Sequence, residues 1–161
     1  MSKFKLVRID FRLIHGQVIT KWLKQSGADK IVIIDDLLAS DTFMKSIYTM
    51  SAPPGIPVDV YSVEEAGKKW AENHFGSDKI LLLFKDVATT YKMFSTGLPL
   101  PNIQIGGLGA GPDRKKVYGP ISLSQADYEL LKEMHDQGIE IVLHQVPDEA
   151  KMEFSKVIQR F

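Results

Sequence analysis

The chain has 161 residues, of which twenty are Lys or Arg and twenty are Asp or Glu, so its formal net charge is zero. A neutral chain lacks the excess positive charge with which general nucleic-acid-binding proteins displace counterions, so no nucleic-acid partner is expected. Because the chain contains no cysteine, a disulfide framework, a thiolate nucleophile and a cysteine-based metal site are excluded.

Short apolar runs alternate along the chain with segments of helical periodicity. The apolar runs predict strands at KLVRI (5–9), KIVII (30–34), IPVDVY (56–61), KILLLF (79–84), NIQIG (102–106), PISL (120–123) and IEIVLHQV (139–146). KIVII and KILLLF are apolar at successive positions, which is typical of strands covered by helices on both faces. Helices are predicted at 17–25, 40–50, 62–72, 124–138 and 148–161, and Ser62 and Ser124 are expected to cap two of them.

This alternation predicts an α/β fold, an open, mostly parallel sheet of about seven strands with helices on both faces, in a single domain over residues 1–161. No apolar run approaches the roughly 20 residues that span a bilayer, and the N terminus lacks the apolar core of a signal peptide, so a cytosolic location is expected. In such sheets ligands bind beyond the carboxyl ends of the strands. The candidate segments are therefore 10–15, 35–36, 62, 85–86, 106–107 and 145.

The segment RIDFRLIHGQV, residues 8–18, collects Asp10, Arg12 and His15 between the first strand and a helix that opens at Gly16. A neutral imidazole can attack phosphorus, and a guanidinium and free backbone N–H groups can hold phosphoryl oxygens. Gly16 would let the backbone approach closely, and Asp10 could orient Arg12 or the imidazole. Spacing alone leaves open a plain polar turn, in which Asp10 caps a local N–H and His15 is solvated.

Two other segments could bind a ligand. GGLGAG, residues 106–111, lacks the Walker ending and misses the G-x-G-x-x-G spacing, so we interpret it as a turn that lets another group approach the sheet rather than as a nucleotide site. Asp35 and Asp36 could bind Mg²⁺ or cap a helix. An acidic pair is also typical of response-regulator receivers. A receiver needs a phosphoacceptor Asp after its third strand, however, and this chain has Tyr61 and Ser62 there.

The remaining histidines and a short basic cluster carry weaker signals. His74, His135 and His144 lack metal-ligand spacing, and the first two are expected on the surface. His144 is either a satisfied core group or a neighbour of the site. The basic cluster at 114–116 is expected to be a solvated face, or to steer a phosphorylated partner.

The chain resembles the IIB subunits of mannose/fructose/sorbose-type sugar phosphotransferase systems, whose signature matches RIDFRLIHGQV. The resemblance continues through IVIIDD (31–36), MSAPPGIPVDVYSVEEA (50–66), KILLLFKD (79–86), NIQIGGLG (102–109) and GIEIVLHQVPDE (138–149). The family usually has a second Asp where this chain has Phe11. A large aromatic side chain in that polar loop is either part of the core or an interface anchor.

The resemblance implies that His15 accepts a phosphoryl group on Nδ1 from a phosphohistidine of a IIA subunit. It would then pass the group to a sugar held by the membrane IIC and IID subunits. Asp10, Arg12 and the backbone near Gly16 would surround the phosphohistidine, with no metal or cofactor required. The resemblance is compatible with a homo-oligomer and does not identify the sugar. Two rival functions remain open: a non-catalytic module that senses phosphorylation, and a nucleotide-binding enzyme.

Overall fold

The computed structural model of the chain describes residues 3–161, which form nine strands and seven helices. The strands are β1 (Phe4–Asp10), β2 (Lys30–Ile34), β3 (Val58–Tyr61), β4 (Ile80–Phe84), β5 (Asn102–Gly107), β6 (Arg114–Tyr118), β7 (Ile121–Ser124), β8 (Glu140–Leu143) and β9 (Met152–Glu153). The helices are α1 (Gly16–Ser26), α2 (Asp36–Ser40), α3 (Thr42–Ser51), α4 (Val63–Asn73), α5 (Val87–Ser95), α6 (Gln125–Asp136) and α7 (Phe154–Ile158). Within residues 3–161 no helix is both long enough and apolar enough to cross a membrane.

Seven strands form one sheet in the order β3-β2-β4-β1-β5-β8-β9. The first six in this order run parallel, and β9 runs antiparallel to β8 at the edge. β1 therefore lies in the interior of the sheet, between β4 and β5, and the loop that follows it starts among the carboxyl ends of neighbouring strands. The predicted fold class is confirmed.

Two hydrophobic clusters pack the sheet between its helices. Successive residues of β4 alternate between them: Ile80, Leu82 and Phe84 belong to one cluster and Leu81 and Leu83 to the other. The first cluster includes residues of α4, α5, α6 and α7, and the second includes residues of α1, α2 and α3. All five residues of β4 are fully buried, which explains why the run is apolar at every position.

The predicted strand at 120–123 exists as β7 but lies outside the main sheet. It pairs with β6 in a separate antiparallel ribbon, and a single bridge from Leu108 to Ile121 connects it to the end of β5. The main sheet has no place for it, because β5 is already flanked by β1 and β8. The ribbon instead lies beside the carboxyl end of β5.

The helices differ from the sequence prediction at three places. The predicted helix at 40–50 is α3, which begins at Thr42 because the side chain of Asp41 accepts a hydrogen bond from the backbone N–H of Met44, and the short helix α2 before it was not predicted. The predicted helix at 148–161 begins only at Phe154, since Met152 and Glu153 pair with β8. The third difference is α5, which the sequence prediction missed and which Asp86 caps.

Candidate active site

The loop between β1 and α1 carries the predicted site residues. Its apolar residues Leu13 and Ile14 are buried, at 2% and 6% exposure, and fix the loop to the core. Leu13 has a left-handed backbone, with φ of 55°, and its N–H donates to the carbonyl of Asp10. His15 is the N-cap residue of α1, and Gly16 opens that helix with φ of 48°. This left-handed conformation is a further reason for glycine at Gly16.

Asp10 is a fully buried carboxylate on which three charged or titratable side chains converge. Its Oδ1 accepts from the backbone N–H and from Nε of Arg12, at 3.1 and 3.0 Å. Its Oδ2 lies 3.2 Å from Nη2 of Arg12, 3.2 Å from Nη2 of Arg8 and 3.1 Å from Nε2 of His15. The structure thus brings Asp10, Arg12 and His15 together, as the sequence pattern predicts, and adds Arg8.

The contact between Asp10 and His15 determines which ring nitrogen is free. Burial by itself would raise the pKa of Asp10, but the hydrogen bonds from Arg12 and the charge of Arg8 hold that pKa below its ordinary value. Asp10 is therefore ionised at neutral pH and can only accept a hydrogen bond, so Nε2 of His15 carries the proton. In the neutral imidazole, Nδ1 then keeps the lone pair, and the side chain is 23% exposed.

Arg8 is the site residue that the sequence interpretation missed. Its side chain is 1% exposed, and burial lowers its pKa to about 10, although Asp10 opposes that effect. It therefore stays protonated at neutral pH. The available signal was its position two residues before Asp10 on the same strand, because residues i and i+2 of a strand share a face.

The first two glycines of GGLGAG make room for the two arginines. A Cβ at Gly106 would lie 2.0 Å from Nη2 of Arg8, and one at Gly107 would lie 2.6 Å from Nη2 of Arg12. The interpretation of this segment as a turn is wrong for these two residues, because Gly106 and Gly107 are the last residues of β5. They do admit other groups to the sheet, and these groups are side chains of the chain itself.

We expect Gly106→Ala to destabilise the fold by about 1–3 kcal/mol, the usual cost of overpacking a well-packed interior. The added methyl would displace the buried guanidinium of Arg8. Gly67→Ala in α4 is the matched control, because a Cβ there meets no atom within 4 Å. Urea unfolding of both variants tests the prediction, and equal stability of the two would contradict it.

Because of the carboxylate of Asp10, the free energy of unfolding should also depend on pH in the acidic range. Because the pKa of Asp10 is lowered in the folded chain, its interactions stabilise the fold above its ordinary pKa of 3.8 and are lost as pH falls through the lower folded value. Between about pH 4 and pH 2 the free energy of unfolding should therefore fall more steeply for the wild-type chain than for Asp10→Asn. Parallel curves from urea unfolding across this range would show that Asp10 does not contribute.

The other sequence candidates have structural roles away from this loop. Asp35 caps α2 by accepting from the backbone N–H of Leu38, and Asp36 accepts from the N–H of Val63. Among residues 3–161 no group of three or more His, Asp or Glu residues could hold a metal ion. Ser62 and Ser124 form capping boxes, as predicted.

The three remaining histidines lie outside the Asp10 cluster. His74 ends α4 and stacks on Trp70, and His135 lies in the last turn of α6 with its ring 5.1 Å from that of Phe154. Nε2 of His144 lies 2.8 Å from the carbonyl of Glu149. The carbonyl of His144 also accepts from Arg8, so His144 is a satisfied neighbour of the site, one of the two alternatives that the sequence left open.

The basic cluster at 114–116 does not behave as one solvated face. Arg114 forms an ion pair of 2.8 Å with Asp127 and donates to the carbonyls of Gly109 and Ser122. The ammonium group of Lys115 donates to the carbonyl of Arg160, close to the C-terminal end of the chain. Lys116 alone of the cluster lines the cleft next to the loop.

A cleft of about 350 Å³ separates the loop from the β6–β7 ribbon. Its lining includes Phe11, Arg12, Gly109, Lys116 and Pro120. Phe11 is 41% exposed, so it is not folded into the core, and the guanidinium carbon of Arg12 lies 5.5 Å from the centre of its ring. An exposed aromatic ring therefore lies beside Arg12, in the same loop as His15.

Comparison with known proteins finds similarity over almost the whole chain. The family described as "PTS system sorbose subfamily IIB component" matches residues 4–161. The chain is 28% identical over 155 residues to the mannose-specific EIIAB component of the PTS system of Escherichia coli strain K12, covering 96% of this chain but only 48% of that protein. The chain thus spans about half the length of this relative.

Two solved structures are similar in both fold and sequence. The crystal structure of manxB from Thermoanaerobacter tengcongensis has a TM-score of 0.91 and 41% identity, covering 97% of this chain and 95% of that one. The IIBSor domain of the sorbose permease from Klebsiella pneumoniae has a TM-score of 0.92 and 28% identity, covering 99% of each chain.

Proposed function

Because the chain belongs to the family of PTS sorbose-subfamily IIB components, we propose that His15 carries a phosphoryl group on Nδ1 between a IIA protein and a sugar. The observation that supports this assignment is the 3.1 Å contact between Nε2 of His15 and Oδ2 of Asp10. The name EIIAB of the mannose-specific relative joins a IIA and a IIB component, which supports a IIA protein as the donor. The sugar would be held by the membrane IIC and IID subunits, with this chain docked on their cytoplasmic side.

The uptake step follows from the tautomer of His15. The lone pair of Nδ1 attacks the phosphorus of the donor phosphohistidine, a new N–P bond forms, and the donor N–P bond breaks with its electron pair returning to the donor ring. The ring of His15 keeps its Nε2–H and becomes positively charged. Asp10, ionised and in contact with Nε2, stabilises that charge and fixes the ring orientation, as a buried carboxylate does for a general-base histidine.

The second transfer reverses the charge change on His15. A hydroxyl oxygen of the sugar bonds to phosphorus, the N–P bond of His15 breaks, and its electron pair returns to Nδ1. The hydroxyl proton must pass to a base on the sugar-bearing subunit. Asp10 holds the same tautomer before and after the cycle, so the imidazole is ready to accept again.

Arg12 and the start of α1 supply the positive field around the phosphoryl group in this proposal. Arg12 lies on the open side of the Asp10 cluster, with 30% of its side chain exposed. The first backbone N–H groups of α1, from Gly16 onward, have no intrahelical partners and can donate to phosphoryl oxygens. These groups carry enough positive charge for the chemistry without a metal ion.

Phosphorylation from phosphoenolpyruvate tests the proposal directly. The chain is incubated with phosphoenolpyruvate, the general phosphotransferase proteins and the cognate IIA protein, and the labelled residue is identified by mass spectrometry. We expect an acid-labile, base-stable phosphate on His15, which is lost on adding membranes with the IIC and IID subunits and the transported sugar. Loss that does not require the sugar would favour a sensing module, and labelling by a nucleotide alone would favour a nucleotide-binding enzyme.

We expect Phe11→Ala to weaken docking of the phosphorylated IIA protein by roughly tenfold or more, because exposed aromatic residues are common interface anchors. Phe11 is 41% exposed beside the loop that the donor must reach. The change should raise the KM for the donor and leave the melting temperature unchanged.

Met50→Ala is the control for this prediction. Met50 is 83% exposed, but it lies in the last turn of α3, which runs back from the carboxyl edge of the sheet. If Phe11→Ala lowers the melting temperature while phosphoryl transfer keeps the wild-type KM, then Phe11 is a packing residue and the docking role is wrong.

A further inference from the structure

The guanidinium of Arg8 donates its hydrogen bonds to buried or partly buried acceptors of the chain itself. Its Nη2 lies 3.2 Å from Oδ2 of Asp10 and 2.9 Å from the carbonyl of Gln145. Its Nη1 donates to the carbonyl of His144 at 3.0 Å and to Oε1 of Gln104. The guanidinium carbon also lies 5.4 Å from the centre of the Trp22 ring. With 1% of its side chain exposed, Arg8 has no path to a phosphoryl group on the surface.

Arg12 pairs with the same carboxylate but is partly exposed to solvent. Its side chain is 30% exposed. Besides Asp10, its guanidinium lies 3.5 Å from the carbonyl of Gly106, and its central carbon lies 5.5 Å from the centre of the Phe11 ring. Two of its nitrogens lie on Asp10, Nε at Oδ1 and Nη2 at Oδ2. These two contacts occupy one edge of the guanidinium, so Nη1 and the second N–H of Nη2 can bind a phosphoryl group while Asp10 stays paired.

We propose that Arg8 is a positioning residue, the permanent counter-ion that holds Oδ2 of Asp10 in place while the terminal nitrogens of Arg12 bind the phosphoryl oxygens. This inference rests on the proposed function of His15. Arg8 touches neither the phosphoryl group nor the reacting nitrogen. It acts through Asp10, which keeps Nε2 of His15 in place when Arg12 is drawn to the phosphoryl group.

The reason for two arginines on one carboxylate is the cost of uncovering a buried charge. Asp10 is fully buried, and a buried carboxylate is costly unless it stays paired. If Arg12 were its only arginine, any displacement of Arg12 toward a phosphoryl group would weaken that pairing. Arg8 keeps Oδ2 paired, because the other acceptors of its guanidinium also belong to the buried part of the chain.

The first test observes the two guanidinium groups in the wild-type chain. Nitrogen-edited NMR spectra of the arginine side chains are compared before and after phosphorylation by phosphoenolpyruvate, the general proteins and IIA. We expect the Arg12 signals to shift and those of Arg8 to keep their positions and their slow exchange with water. Movement of the Arg8 signals with unchanged Arg12 signals would overturn the inference. This test uses the wild-type chain, so it does not depend on whether a variant folds.

The second test compares two arginines that each pair with an aspartate. Arg114 binds Asp127 and two backbone carbonyls, but it makes no contact with Asp10 or His15. We expect Arg8→Met to slow phosphoryl uptake at least tenfold and to change the nitrogen chemical shifts that report the tautomer of His15. Arg114→Met should change stability alone. Arg8→Lys keeps a cation near Asp10 and should recover part of the rate.

The outcomes separate this inference from the proposed function. Phosphate on His15 with equal uptake rates in Arg8→Met and Arg114→Met would overturn the role of Arg8 and leave the proposed function intact. Phosphate on another residue would overturn the proposed function and this inference with it. If Arg8→Met does not fold, Arg8→Lys and the spectra of the wild-type chain decide.

Discussion

His15→Ala should fold as the wild-type chain does and take up no phosphate from the phosphorylated IIA protein. The fold should survive because the side chain of His15 makes no capping hydrogen bond to α1 and contacts Asp10 through one nitrogen. A hydrogen bond to a charged group contributes roughly 1.5–3 kcal/mol, which is less than the stability of about 5–15 kcal/mol that is typical of folded domains. Uptake should disappear altogether, because the proposed transfer requires the lone pair of Nδ1 and the variant has no ring at that position.

His144→Ala is the control for this experiment, since His144 is also partly buried and its carbonyl contacts the same arginine network. It should accept phosphate in full. Phosphorylation of the wild-type chain, followed by nitrogen and phosphorus NMR, should place the phosphate on Nδ1 of His15. Stoichiometric labelling of His15→Ala, or a phosphate on Nε2 of the wild-type ring, would contradict the assignment.

The sequence predicts the sheet well because burial on both faces leaves a strong signal. The run at β4 is apolar throughout and every residue of it is buried, so periodicity alone identifies it as an inner strand. β9 leaves no such signal, because it has only two residues and exists through its pairing with Val142 and Leu143. Because Met152 and Glu153 pair with β8, the helix predicted at 148–161 begins only at Phe154.

The sequence predicts only part of the site, because a local pattern reveals polar residues after a strand but not a buried arginine within one. Asp10, Arg12 and His15 are polar residues in a loop after a strand, a position at which parallel sheets bind ligands. Arg8 lies within the strand, where a single charged residue normally points to solvent. Its burial depends on distant residues, on the carbonyls of His144 and Gln145 and on the space left by Gly106, which no local pattern around Arg8 contains.

Arg12→Ala should slow phosphoryl transfer by about 10²–10³ in both directions, the usual effect of removing a donor to the charge that develops in the transition state. The transferring group carries roughly two negative charges spread over its peripheral oxygens. The end of a helix contributes only about 0.3–1 kcal/mol at an exposed site. Hydrogen bonds to a charged group contribute roughly 1.5–3 kcal/mol each, so the guanidinium of Arg12 should stabilise the phosphoryl group more than the start of α1 does.

The competing interpretation is that Arg12 only holds the loop by pairing with a carboxylate. The structure makes this a serious alternative, because Arg12 contacts both oxygens of Asp10, at 3.0 and 3.2 Å. Arg12→Lys distinguishes the two roles, since it keeps the charge and loses the fork, and it should recover only part of the transfer rate. Rates measured with the IIA protein as donor and as acceptor, together with melting temperatures, decide between them. If Arg12→Ala lowers the melting temperature and leaves both rates near those of the wild-type chain, then Arg12 is a structural residue and the phosphoryl group is held by the start of α1 alone.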